Sequence, residues 1–117
     1  MIRAALISLG LALPAAAQPV ACAFTILCAP EIECEAHEGI PFEIDWRDGT
    51  HWVEIDGEEA AGMVLAPPPD LALSFVTEGE TLLFTMTEGG DGALTRHRQA
   101  PTGRLTVATF LGRCVTA

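Results

Sequence analysis

Beyond residue 17 apolar and polar positions alternate in short runs, the period-two signature of strands with one buried face. Phe42, Ile44 and Trp46 alternate with Glu43, Asp45 and Arg47. Leu71, Leu73 and Phe75 alternate with Ala72, Ser74 and Val76, and Leu82, Phe84 and Met86 with Thr81, Leu83, Thr85 and Thr87. In the opening segment Cys22, Phe24, Ile26 and Cys28 are expected on one face. Ile32 and Cys34 then point one way, and Glu31, Glu33, Glu35 and His37 the other. Further strands are read at 60–66, 93–99 and 104–115, with Gly112 a candidate bulge in the last.

Turn residues separate these runs. Asp48-Gly49 is the strongest hairpin signal, because a tight turn needs positive φ and glycine tolerates it. A two-residue turn there pairs Trp46 with His51, which places His51, Val53 and Ile55 inside and Trp52 outside. A three-residue loop would pair Trp46 with Thr50 and swing Trp52 to the other face, since a one-residue slip inverts a strand. The first register is preferred because it buries Val53 and Ile55. Asp56-Gly57, Pro67-Pro68-Pro69, Glu78-Gly79-Glu80 and residues 101–103 supply further turns, and the glycine-rich stretch 88–92 is expected to be the most flexible. The prediction is an all-β fold, a small antiparallel barrel or sandwich of about eight strands, with the barrel favoured.

Residues 1–17 read differently. Arg3, an apolar run from Ala4 to Leu13, Pro14 and Ala15-Ala16-Ala17 form a secretory signal whose cleavage leaves Gln18 first. The run is too short for a spanning helix, which needs about 20 residues. A lipoprotein signal would want an aliphatic residue three positions before Cys22, where Pro19 stands. The expected organisation is a signal peptide at 1–17 and a single β domain at 18–117, periplasmic or secreted, with no membrane span.

Export changes how the four cysteines are read, because thiols pair in oxidising compartments. Spacing does not choose the connectivity. The expected pairs are Cys28 with Cys34, stapling a turn at Pro30, and Cys22 with Cys114, tying first strand to last. The C-x5-C-x5-C run lacks the close pairing of zinc sites, so no metal ligand is assigned.

Charge is divided along the chain. All 16 acids lie between Glu31 and Asp91, where Arg47 is the only arginine; beyond Gly92 come Arg96, Arg98, Arg104 and Arg113 with no acid. The formal net charge is −10, and so acidic a surface repels nucleic acid and anionic lipid. Arg96 and Arg98 are candidates for an anion-binding patch, though pairing with acids on neighbouring strands is the commoner outcome.

The opening C-x-F-x-x-x-C-x5-C and the closing T-F-L-G-R-C resemble those of a loose group of small exported bacterial proteins. The resemblance implies an exported, disulfide-tied β-domain and carries no catalytic or binding residues to transfer. The build is also similar to periplasmic inhibitor domains of the lysozyme-inhibitor sort, without their Ser-Gly and Lys motif. Likeness of fold does not license function.

Candidate chemistry is sparse. Ser74, the one serine beyond the leader, sits mid-strand, and His37-Glu38 lacks the second histidine of a zinc-protease helix. No catalytic residue and no cofactor is assigned. The hairpin at 46–52 offers Trp46, His51 and Trp52 as a speculative binding surface, with Trp52 an anchor if exposed; core packing of both indoles is the plainer expectation. The leading expectation is a non-catalytic, inhibitor-like binding module for a protein or small ligand. The alternatives are a divalent-cation-binding envelope protein using the Glu31/Glu33/Glu35 ladder, and a hydrolase built from scattered carboxylates and a histidine.

Overall fold

The computed structural model describes residues 18–116; the expected leader at 1–17 and Ala117 lie outside the described residues. Eight strands follow in chain order: β1 (Val20–Ala29), β2 (Ile32–Arg47), β3 (Thr50–Ile55), β4 (Glu58–Ala66), β5 (Leu71–Val76), β6 (Glu80–Met86), β7 (Asp91–Gln99) and β8 (Leu105–Thr116). Each is antiparallel to the next, and β8 returns to pair with β1. The meander therefore closes into a ring, although not a regular barrel. Among the described residues no helix is long and apolar enough to cross a membrane.

The period-two pattern becomes the inner face. Phe24, Ile44, Val53, Leu73, Phe75, Leu82, Phe84 and Leu94 are buried. Phe24 packs on Phe42 and Phe110 with ring centroids 5.9 and 5.8 Å apart, and Phe42 lies 6.0 Å from Phe84. Aromatic contacts at these separations join β1, β2, β6 and β8 across the interior. The two Asp-Gly turns have φ of 52° and 76° at Asp48 and Gly49, and 51° and 84° at Asp56 and Gly57. Positive φ at both positions twists the chain as flanking strands require. The register after the first turn is Trp46 opposite His51 and Arg47 opposite Thr50, with His51, Val53 and Ile55 inside.

The ring closes at β1 and β8, and here three sequence expectations need correction. Phe24 pairs with Gly112 but Ile26 with Leu111, so the extra residue is Thr25 of β1; the bulge is not at Gly112. That inserted residue inverts the strand, so Ile26 is exposed instead of sharing the face of Cys22 and Phe24. Gly112 serves another purpose. A Cβ there would collide with the Ala23 carbonyl and sit 2.7 Å from the Phe24 Cα, backbone that cannot step aside. The stretch 88–92, expected to be flexible, is tied down. Thr87 N donates to Asp91 O at 2.9 Å, Cys114 N to Gly90 O at 2.7 Å, and Arg113 Nη1 to Asp91 Oδ1 at 2.7 Å.

Two disulfides fasten the same region. Cys22 and Cys114 face each other across the seam with Cα atoms 4.0 Å apart and a sequence separation of 92. Cys28 and Cys34, six apart in sequence, clip the β1–β2 turn. By loop-closure entropy the long link stabilises the fold by about 4–5 kcal/mol and the short one by about 2 kcal/mol.

The β2 strand departs most from its sequence expectation. Every residue from 31 to 39 is exposed, Ile32 and Cys34 included, so neither face of this half is covered. Phe24 pairs with Ile40 and Ile26 with Ala36, leaving His37, Glu38 and Gly39 as an excursion, with Gly39 at φ 147°. On its other side β2 pairs with β3 only from Asp45 to Arg47.

The seam predicts a ranking of substitutions. Gly112→Ala should cost at least about 3 kcal/mol, because the backbone at Ala23 must shift. Breaking the long link by Cys22→Ser with Cys114→Ser should cost about 4–5 kcal/mol. The Cys28→Ser, Cys34→Ser pair should cost only about 2 kcal/mol. Urea unfolding midpoints measure all three; equal losses from the two disulfide variants would contradict the seam's role.

Candidate functional site

The sequence-singled residues fall at opposite ends of the ring. Trp46 and His51 flank the β2–β3 turn at the end where β1 begins. His51 is buried and meets the half-buried Trp46 edge-on, with centroids 4.7 Å apart. Trp52 is half-buried on the outer face with the Arg47 guanidinium 5.2 Å from its ring. Arg47 also pairs with Glu59 at 2.6 Å. The indole is thus partly covered by a cation within its own sheet.

Arg96 and Arg98 sit at the other end, where β7 runs toward its last turn. They converge on a residue that sequence reasoning missed. Glu80 has the sequence setting of a turn residue, yet it opens β6 facing inward, with its side chain 4% exposed. Arg96 Nε donates to Glu80 Oε2. Arg98 Nη2 donates to Glu80 Oε1 at 3.1 Å and to Asp56 Oδ2 at 3.4 Å. The arginines are therefore compensated by carboxylates rather than free for an anion. The turn before β6 is closed by Thr77 N donating to Glu80 O at 2.9 Å. The signal that could have found Glu80 is its place two positions before Leu82, in phase with the buried face.

Burial would push the Glu80 carboxyl up, but hydrogen bonds and charge from Arg96 and Arg98 outweigh it and hold the group below its ordinary value. Glu80 in turn raises Arg96. A carboxyl depressed in the folded state stabilises the fold above its unfolded value, about 4.3, and that contribution is lost as pH falls through the lower folded value.

Between these ends the ring has a gap in its side wall. If the β2–β3 pairing continued past Asp45 opposite Trp52, Glu43 would face Glu54 directly, and like charges opposed in a sheet repel. Pro41 follows on β2 and has no N–H to give. The ladder stops at Asp45, and a cavity of about 210 Å³ lies where it would have run. Ile40, Phe42, Glu54, Ile55 and Asp56 form its rims, and Phe24, Leu82, Leu94, Arg96 and Phe110 its floor. On the outer side of the gap a second hollow, about 270 Å³, lies among Pro41, Glu43, Asp45, Trp52 and Glu54. The site has aromatic and aliphatic walls, an acidic rim, and Arg96 in its lining.

The alternative chemistries meet different surroundings. Glu33 and Glu35 lie along the exposed half of β2, and Glu31 is in the turn before it. Among the described residues no group of three or more His, Cys, Asp or Glu side chains is gathered in metal-holding geometry. The side cavity has the carboxyls of Glu54 and Asp56, but the histidine that a hydrolase would pair with them is not in its lining. His37 and His97 are exposed and His51 is buried beside Trp46. Compared with known proteins, the chain matches no family model, no curated protein and no solved structure.

Removing the charge of Glu80 leaves two arginines facing a neutral amide. Glu80→Gln should lower stability at pH 7 by about 1–3 kcal/mol, toward the low end because Arg98 is half exposed. The difference between wild type and variant should shrink below about pH 4, where wild type begins to lose the same charge. Urea melts at pH 7, 5 and 3 measure it; a gap that stays constant or widens in acid would show that the ion pairs contribute nothing.

Proposed function

We propose that the protein is an exported, non-catalytic binding domain that holds a protein or small-ligand partner at the cavity in the β2–β3 wall. The observation that carries this reading is the cavity itself: about 210 Å³, floored by Phe24, Leu82, Leu94 and Phe110, and reached between Ile40 and Ile55. Apolar walls with a few convergent charged groups are the common make-up of binding sites. Its size is below the roughly 300–1,000 Å³ of drug-sized ligand pockets. One ring or one inserted side chain suits it better than a large metabolite. Arg96 in the lining is paired with Glu80 and Asp56 with Arg98, so Glu54 on the rim, together with the formal net charge of −10, favours a group with positive charge next to its apolar part.

Two features support export to a periplasmic or extracellular setting. The signal-like segment at 1–17 precedes the β ring, and both cysteine pairs are oxidised. Expressed with residues 1–17 in place, the protein should be recovered from the envelope fraction beginning at Gln18.

The binding reading is tested with benzylamine, an aromatic ring bearing one positive charge. Amide resonances of Phe24, Ile55 and Leu94 should shift saturably with benzylamine, at least threefold more tightly than with benzoate. Ile40→Trp, which places an indole on the rim, should weaken binding tenfold or more while leaving the remaining spectrum in place. Absence of saturable shifts, or equal response to both probes and to the variant, would refute a binding site in this wall.

A further inference from the structure

Resting on the side-wall binding site, we propose that the free edge of β2 is a strand-addition site for an extended, basic segment of a partner protein. The segment alternates lysine or arginine with apolar residues. Three observations on one stretch of chain carry this.

The first is the edge. From Ile32 to Ile44 β2 is paired on the β1 side alone, because its pairing with β3 begins only at Asp45. At the gap the C=O of Pro41 and both the N–H and the C=O of Glu43 point away from β1, and an extended peptide can pair with such an edge. The second is charge. Outward positions at the gap are Glu43 on one rim and Glu54 on the other, both exposed, and the register that would bring them opposite each other is the one the ladder abandons. A strand running along β2 with a cationic side chain at this level would replace carboxylate repulsion with attraction to both rims. The third is the cavity. Phe42, one position from Glu43, faces inward to the hollow of about 210 Å³, so a neighbouring apolar side chain on an added strand would enter that space. Cationic outside and apolar inside at alternate positions is the complement of what β2 and β3 present.

A plainer role for the acids is protection of an open edge against aggregation, since charged side chains discourage edge-to-edge pairing. That role accounts for Glu33 and Glu35 but needs no hollow beneath Phe42. A second copy of this chain is a poor occupant, because its own edge has the same negative charge.

The test uses the oxidised protein and an acetylated, amidated nonapeptide alternating lysine and valine with a central leucine. A second peptide of the same charge has prolines at alternate positions, which removes N–H donors without removing cations. Calorimetry should give one site for the first peptide, weakened at least tenfold between 50 and 300 mM salt, values on the scale where the Debye length falls below about 10 Å. Glu43→Gln with Glu54→Gln should weaken it at least tenfold, and the outward-pointing amide of residue 43 should gain exchange protection in the complex. The proline peptide should bind at least tenfold less tightly. Equal binding of both peptides, or binding insensitive to the two substitutions, would overturn strand addition. Saturable benzylamine shifts with no binding of the alternating peptide would also overturn it, while leaving the cavity reading standing. Concentration-dependent dimers that protect the same amide without peptide would assign the edge to a second copy and overturn it too.

Discussion

The architecture depends on how closely the last strand approaches the first. At Gly112 the β8 backbone lies against Ala23 and Phe24 with no room for a side chain, and two pairs further along Cys22 and Cys114 are bonded across the same seam. A Cβ on Gly92, which pairs with Gly112 from the β7 side, would meet the Cys114 sulfur. Two glycines and a disulfide thus draw three strands together, and the Thr25 bulge accommodates the resulting twist. The chain gains closure with a short interior, and Phe24 is directed into contact with Phe42 and Phe110.

Closure on one side leaves the slack on the other. The contrast between two sets of carboxylates explains where it is taken up. Glu80 is buried, but Arg96 and Arg98 on the neighbouring strand satisfy both its oxygens, so β6 and β7 stay zipped to their ends. Glu43 and Glu54 have no arginine between them, and β2 and β3 part after Asp45, Trp46 and Arg47 have paired. Exposure makes the repulsion weak per pair. A few tenths of a kcal/mol per position still matter where a ladder ends, because each further pair adds little itself. The aromatic cluster beneath remains reachable from the side for this reason.

Much of the fold was legible in the residues. Alternation marked the strands, Asp48-Gly49 set the Trp46–His51 register, and four cysteines behind a segment that reads as an export signal spoke for two disulfides. What was missed shares a physical cause: alternation describes one strand and says little about two neighbours. Ile26 was assigned inward because nothing local marks Thr25 as an extra residue; the bulge answers the crowding at Gly112, far away in sequence. Ile32 and Cys34 alternate correctly with the glutamates, yet no element packs over them. Glu80 looked like a turn residue because glutamate is seldom buried alone, and its arginines lie on the next strand. The gap was within reach, since extending the Trp46–His51 register by three pairs sets Glu43 against Glu54. Reading it required asking where a hairpin stops as well as where it turns.

The central claim is that the ring is held shut at β1–β8 and stands open at β2–β3. Residue-resolved amide hydrogen exchange tests it most directly. Seam amides of β1 and β8, such as those around Cys22 and Cys114, should exchange only through global unfolding, and the Glu43 amide, which points away from β1, should exchange at least about 100-fold faster. Protection at Glu43 equal to that of the seam would mean the wall is closed, and the account would be wrong.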